Sequence, residues 1–255
     1  MKKLHFAFLA SIFIVFSMQA QEDAEAEADL QNSSPFSEPR YNFFKKTILV
    51  FNEYLDTDSG SFNTLDLRLL LPIGNKTWQL RADVPLVSTN TASINKTGFG
   101  DLSFAASYIP YLTKKRGVGL RGRLFTNSAS DPSFGSGKWV FAPTFFYGQY
   151  FDESKKFFWI SNVEYQFSFA GSSNRNDIST TILDNSLIFN FGKNWVSGNV
   201  TFRYNAIAEG FNNSAYLEFG RKFTPDAMFY IHPSMGFGDK KSYNYGMELG
   251  LLIFY

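Results

Sequence analysis

The chain has 255 residues, no cysteine and a formal net charge of +1, which excludes disulfide bonds and cysteine chemistry and gives no basic field for nucleic acid. Hydrophobic residues make up 44% and charged residues only 18%, with 30 Phe and 13 Tyr, an unusual balance for a water-soluble protein. Beyond residue 20 no apolar run approaches the length of a spanning helix, so the composition favours a transmembrane β-barrel.

Residues 1–20 have the pattern of a secretory signal peptide. Lys2 and Lys3 supply the positive start, and an apolar run over 4–16 leads to a small residue, Ala20. We expect cleavage after Ala20, which leaves 22 basic and 23 acidic residues. A retained anchor helix is the alternative, but its apolar stretch is short for crossing a membrane.

Residues 21–40 differ in composition from the rest of the chain. Acidic residues alternate with Ala up to Asp29, and Asn, Ser and Pro follow. Low hydrophobicity with high charge predicts a disordered acidic periplasmic tail, with too little apolar surface to form a plug domain. The remainder, 41–255, is predicted to be the barrel.

Twelve segments of alternating polarity follow, each about as long as a transmembrane strand. An even number of strands places both termini on the periplasmic side. Short turns separate alternate pairs, and longer Ser/Thr/Asn/Gly loops at 89–97, 128–137 and 171–177 are expected outside the cell. The predicted strands are 47–56, 62–72, 78–88, 98–109, 117–127, 138–150, 156–170, 178–191, 195–208, 214–223, 227–238 and 244–255.

The alternation assigns a lipid face and a lumen face to most strands. In the second strand four leucines from Leu65 to Leu71 share one face, and Asp66 and Arg68 share the other. A soluble β-sandwich also alternates, so the tryptophans help to decide. They begin strands, as expected for aromatic girdles at the membrane interfaces, at Trp78, Trp139, Trp159 and Trp195.

The last strand carries the strongest local signal. Leu249, Leu251 and Ile253 share a face with the terminal Tyr255. A terminal apolar strand ending in an aromatic residue resembles the signal read by the barrel-insertion machinery of Gram-negative bacteria. We therefore expect a monomer in the outer membrane, with lipid and that machinery as partners and no nucleic acid.

Charged residues on the lumen face are the candidate solute-binding residues. A barrel of twelve strands is intermediate in width between small barrels, whose interior is filled, and large ones, which hold an open channel. The sequence is therefore compatible with a charged constriction and with a closed, ion-paired interior. Asp66 and Asp184 are further inward carboxylates. The candidates are Arg68, Arg81, Asp83, Asp101, Arg121, Arg123, Glu164, Arg203, Glu218, His232 and Glu248.

No enzymatic or metal-dependent activity is expected. His232 and Ser234 resemble in spacing the His-x-Ser pair of outer-membrane phospholipase A, but no third catalytic member is evident and both should face the lumen. One His without Cys gives no metal-ligand spacing, and the Gly-rich segments are not phosphate loops. We expect no catalytic residue, metal or cofactor, and lipid hydrolysis is the least favoured function.

Three segments carry a family resemblance. Residues 80–88 end in a strand-then-Pro pattern, 97–103 contain Gly-Phe-Gly-Asp, and 134–139 read Phe-Gly-Ser-Gly-Lys-Trp, followed by Pro143. Their order resembles the outer-membrane family named for the meta-pathway of phenol degradation. The resemblance implies a barrel that takes up small, often aromatic or hydrophobic molecules. Passive passage of small solutes is the favoured function, with a closed structural envelope barrel as the alternative.

Overall fold

The computed structural model describes residues 28–75 and 77–255. The predicted signal peptide, 1–20, and residues 21–27 lie outside the described residues. Within the described part fourteen strands form, in close agreement with the predicted bounds. They are β1 (Thr47–Thr57), β2 (Gly60–Ile73), β3 (Trp78–Thr91), β4 (Asn95–Phe99), β5 (Ser103–Leu112), β6 (Arg116–Phe125), β7 (Lys138–Tyr150), β8 (Phe157–Gly171), β9 (Ser179–Phe191), β10 (Asn194–Asn205), β11 (Gly210–Phe211), β12 (Asn213–Thr224), β13 (Ala227–Phe237) and β14 (Tyr245–Phe254).

Twelve of these described strands close into an antiparallel barrel, which confirms the predicted fold class. The first and last strands seal it, with Thr47 opposite Phe254 and Asp56 opposite Tyr245. The other two strands are short extensions in which β4 pairs with β3 and β11 pairs with β10. The predicted strand 98–109 is therefore divided, because the chain leaves the ladder between Phe99 and Ser103.

The barrel is apolar outside and polar inside. On β2, Leu65 is 42% exposed while its neighbour Asp66 is 8% exposed. The same alternation places exposed aliphatic and aromatic side chains outside on β8, β10 and β14. A barrel that exposes such side chains around its circumference presents them to lipid, as the sequence predicted. No helix in the described ranges has the length and hydropathy to cross a membrane.

Trp195 departs from the predicted aromatic girdle. It is 2% exposed and turns into the barrel, where its indole Nε1 donates a hydrogen bond to Glu218 at 2.7 Å. Gly220 lies opposite it on β12, and a Cβ there would stand 1.9 Å from the indole ring. The missing side chain therefore leaves room for the indole inside the barrel.

Residues 28–46, the N-terminal segment, enter the barrel from the end where β1 begins and β14 ends. Residues 28–33 are helical, and two 3-10 turns follow at Pro35–Ser37 and Pro39–Tyr41. Phe36 and Phe43 are buried against Ile109 and Phe146 of the wall. This order differs from the disordered tail expected over 28–40. The segment has too few apolar groups for a core of its own, but the barrel interior completes one.

Candidate solute site inside the barrel

A cavity of about 670 Å³ lies above the N-terminal segment. Its volume falls within the usual range for small-molecule sites. Two of the predicted lumen residues, Asp83 and Glu218, instead face the interior within ion pairs below the cavity surface. Eight of the eleven predicted lumen residues line the cavity, namely Arg68, Arg81, Arg121, Arg123, Glu164, Arg203, His232 and Glu248.

One wall of the cavity is basic and is organised around Asp83. Arg68 Nε lies 2.6 Å from Asp83 Oδ1, and Arg81 Nε lies 2.8 Å from Oδ2. Arg123 reaches the same carboxylate from β6 at 3.3 Å and also donates to Ser103. Strand alternation explains this convergence, because Arg68 pairs with Asp83 across β2 and β3. Three guanidinium groups therefore share one buried carboxylate.

The next ion pair around the wall joins β6 to β8. Arg121 Nη2 lies 2.9 Å from Glu164 Oε2, which also accepts a hydrogen bond from the Thr144 hydroxyl at 2.9 Å. Glu164 accepts a further bond from Gln166. Charged groups at membrane depth need such partners, so this network holds the wall rigid.

Another part of the wall, on β13, contains His232 between two carboxylates. Nδ1 lies 3.4 Å from Glu218 and Nε2 lies 3.6 Å from Glu248, while the ring stacks on Tyr216 at 4.2 Å. Both ring nitrogens thus face carboxylates. A serine nucleophile needs a histidine nitrogen directed at it, so this arrangement gives Ser234 no base.

The N-terminal segment forms the floor of the cavity. Arg40 contacts Glu218 of β12, and its guanidinium also lies 3.9 Å from the centre of the Tyr230 ring. The Gln79 amide donates to the Phe43 carbonyl at 2.9 Å. The segment and the buried wall side chains around Tyr230 and Phe158 therefore occupy part of the lumen at this level.

Phe36 is held in a notch made by two glycines. Gly117 of β6 lies directly opposite Gly148 of β7. A Cβ on Gly117 would stand 2.6 Å from the Phe36 ring, and one on Gly148 would stand 3.0 Å from it. The Phe36 ring therefore occupies space that a side chain would fill if either position were not glycine.

Glu38 is the buried acid of the N-terminal segment. Tyr150 donates to its Oε2 at 3.3 Å and Asn190 donates at 3.2 Å. Burial raises the pKa of Glu38 above its ordinary value, and the nearby charge of Lys222 opposes this shift without cancelling it. The carboxyl group is thus less easily ionised in the barrel than in water.

Asp101 does not line the cavity, contrary to the sequence prediction. Its Oδ1 accepts hydrogen bonds from the backbone N–H groups of Ser128 and Ala129 at 3.1 and 3.0 Å, and its Oδ2 accepts one from Ser136 at 2.7 Å. The alternation does not extend to this residue because the chain leaves the strand ladder at Gly100. Asp101 fastens the outer loop 126–137 to the β4–β5 connection.

The sequence analysis missed the contribution of the N-terminal segment to this site. Phe36, Arg40 and Tyr41 line the cavity, and Glu53 of β1 does so as well. The signal was the cluster of aromatic residues and one arginine around Pro35 and Pro39, in a stretch read as acidic and disordered. No cluster of metal-ligating side chains occurs in 28–75 or 77–255.

Solved outer-membrane proteins share this fold. The COG4313 outer membrane channel from Pseudomonas putida F1 superposes with a TM-score of 0.69 at 12% identity, over 83% of this chain and 96% of that one. The NanC porin gives 0.60 at 14% identity and the KdgM porin 0.58 at 10%, each over 82% of this chain and 99% of the other. These similarities show the fold. No family model matches the chain, and no curated protein sequence matches it.

Proposed function

We propose that this protein is an outer-membrane channel of a Gram-negative bacterium that lets small solutes pass without energy coupling. The observation that carries the proposal is the cavity of about 670 Å³ lined by six arginines and four carboxylates within a closed barrel. A wall of paired charges facing an aqueous space is the arrangement that selects solutes in membrane pores. The shared fold with outer-membrane channels supports it.

Passage through this barrel requires the N-terminal segment to move. Its contacts with β12 and with the glycine notch hold it within the lumen below the cavity. We expect brief openings from a resting closed state, since the segment is joined to β1 only at its C-terminal end. Solute entering from outside would reach the cavity first and cross when the segment yields.

A closed structural barrel is the second candidate, and the packing of the N-terminal segment inside the lumen favours it. Single-channel recording in a planar bilayer separates the two functions. The full chain should show infrequent conductance steps, and a variant without 28–41 should show larger and longer ones. Silence from both proteins, each shown to be inserted and resistant to unfolding in detergent, would leave the structural function and end the channel proposal.

An enzymatic function receives no support from the lumen geometry. His232 is directed at Glu218 and Glu248, so we propose that the protein has no lipase activity. Phospholipid hydrolysis by the purified protein that is lost in Ser234→Ala but kept in Ser168→Ala would contradict this. Membership of the phenol-pathway family, uptake of aromatic molecules and assembly through the β14 terminus remain predictions.

A further inference from the structure

We infer that Arg68 and Arg81 bind the carboxylate of a small organic acid in the cavity. The inference rests on the proposed function and assigns it a substrate class. Both residues line the cavity from neighbouring strands, and both are held by the same carboxylate, Asp83. The shared partner fixes their positions without using all of their hydrogen-bonding capacity.

The two guanidinium groups present unused donors to the cavity. Every hydrogen bond that Arg68 and Arg81 make with the described residues runs through Nε. Their four Nη nitrogens bond to none of those residues, and none is sealed from the cavity. A guanidinium edge of this kind matches two carboxylate oxygens, and the bonds are strengthened by charge.

The local charge favours an anion. Arg68, Arg81, Arg121 and Arg123 lie in one sector of the wall, where Asp83 and Glu164 are their acidic partners. Asp66 adds a third carboxylate on the inward face of β2, but it makes no hydrogen bond to an arginine of the described chain. These four arginines and three carboxylates give the sector a formal charge of one positive unit beside the unused donors.

The rest of the cavity indicates an apolar body on the solute. Phe51 packs against Arg68, whose guanidinium carbon lies 4.9 Å from the ring centre. Leu70, Phe146 and Ile160 also line the cavity. An anionic headgroup at the arginines would thus place a short hydrocarbon chain against apolar side chains, which water occupies less favourably.

Calorimetric titration of the full protein in detergent tests this assignment, with hexanoate as the probe and hexanamide as its neutral counterpart. We expect hexanoate to bind at least about tenfold more tightly than hexanamide and more tightly than inorganic phosphate. Arg81→Gln should weaken hexanoate binding about tenfold or more. Arg116→Gln, which removes a guanidinium from the first residue of β6, outside the cavity, should leave it unchanged.

A variant that keeps the positive charge guards against misfolding as an explanation. Arg81→Lys keeps a positive charge beside Asp83 but lacks the guanidinium edge, so it should bind hexanoate more weakly than the parent while resisting unfolding in detergent as the parent does. Equal affinity for hexanoate and hexanamide, tighter binding of phosphate, or equal losses in Arg81→Gln and Arg116→Gln would overturn the inference. Conductance without hexanoate binding would refute this inference alone, and binding without conductance would refute the channel function alone.

Discussion

The guanidinium of Arg40 makes a bidentate contact with the carboxylate of Glu218, with Nε 3.0 Å from Oε1 and Nη2 3.0 Å from Oε2. The pair joins positions 178 residues apart and lies inside the barrel, where Glu218 also accepts the Trp195 indole hydrogen bond. A buried carboxylate with three such donors is well compensated, but it depends on each of them. The order of the N-terminal segment is therefore tied to the barrel wall.

Replacing Arg40 should release the N-terminal segment. Arg40→Ala leaves Glu218 as a buried charge without its main partner, and breaking such a pair costs about 3–5 kcal/mol. We expect the lumen to open for a larger fraction of the time and the segment to become sensitive to protease. Channel recordings and limited proteolysis measure the two effects.

Lys45 provides the matched control for this variant. It belongs to the same segment, but its pair with Asp226 is exposed and 3.7 Å long. Exposed pairs contribute about 0–1 kcal/mol, so Lys45→Ala should leave conductance near that of the parent. If Arg40→Ala and Lys45→Ala had the same conductance, the Arg40–Glu218 pair would have no role in closing the lumen.

The glycine notch predicts a pair of compensating substitutions. Gly117→Ala places a methyl group where the Phe36 ring now lies, and the ring must move because the Cβ would stand 2.6 Å from it. We expect Gly117→Ala to raise the conductance. Adding Phe36→Leu to this variant frees space for the methyl group and should restore part of the closed state.

Gly122→Ala controls for the loss of a glycine in the same strand. A Cβ at Gly122 meets only the Phe141 ring, at 3.2 Å, on the other face of β6. Its conductance should match that of the parent. The notch interpretation would be abandoned if the double variant opened more than Gly117→Ala alone, since the two changes would then not compensate.

Asp101→Ala should loosen the outer loop without opening the barrel. Three backbone N–H groups lose a charged acceptor, and each such bond contributes about 1.5–3 kcal/mol. We expect proteolysis within 126–137 to accelerate at least about tenfold. Asp177→Ala, which removes an exposed acceptor of Lys138 and Ser168, should have little effect there. Equal cleavage rates in the two variants would contradict the role assigned to Asp101.

Strand parity predicted most of the wall because it is a local property. Arg68 and Asp83 were both assigned to the lumen from alternation alone, and the register brings them together. Parity failed at Asp101 because the strand ends two residues earlier, at Phe99. The expectation that was wrong for Trp195 was the aromatic girdle, since by parity Trp195 shares the inward face with Asn199 and Thr201. Gly220, on another strand, leaves room for its indole inside the barrel.

The N-terminal segment could not be predicted from its own composition. Phe36 and Arg40 gain their burial from Gly117, Gly148 and Glu218, which belong to distant strands. A short segment that cannot form a core alone can be ordered by a complementary surface. The aromatic residues and the arginine are visible in the segment's own sequence, but the residues that bury them come together only in the closed barrel.

The burial of Glu38 predicts that low pH favours the closed lumen. Its pKa in the barrel is raised by burial above the ordinary value of 4.5, which the acid regains when the segment is free in water. The docked segment therefore binds a proton more tightly than the free one. This contribution is complete below pH 4.5 and is lost as the pH rises through the raised pKa.

We expect the open fraction of the full chain to increase as the pH is raised from 4.5 to 7.5, in channel recordings at constant salt. Glu38→Gln keeps the shape of the side chain but cannot ionise, so it should remain more closed than the parent at pH 7.5 and should approach it at pH 4.5. Comparing the two proteins separates the effect of Glu38 from that of Glu218 and His232, because the Arg40–Glu218 and His232–Glu218 contacts are present in both proteins. Parallel pH profiles for the two proteins would show that the titration of Glu38 does not influence docking.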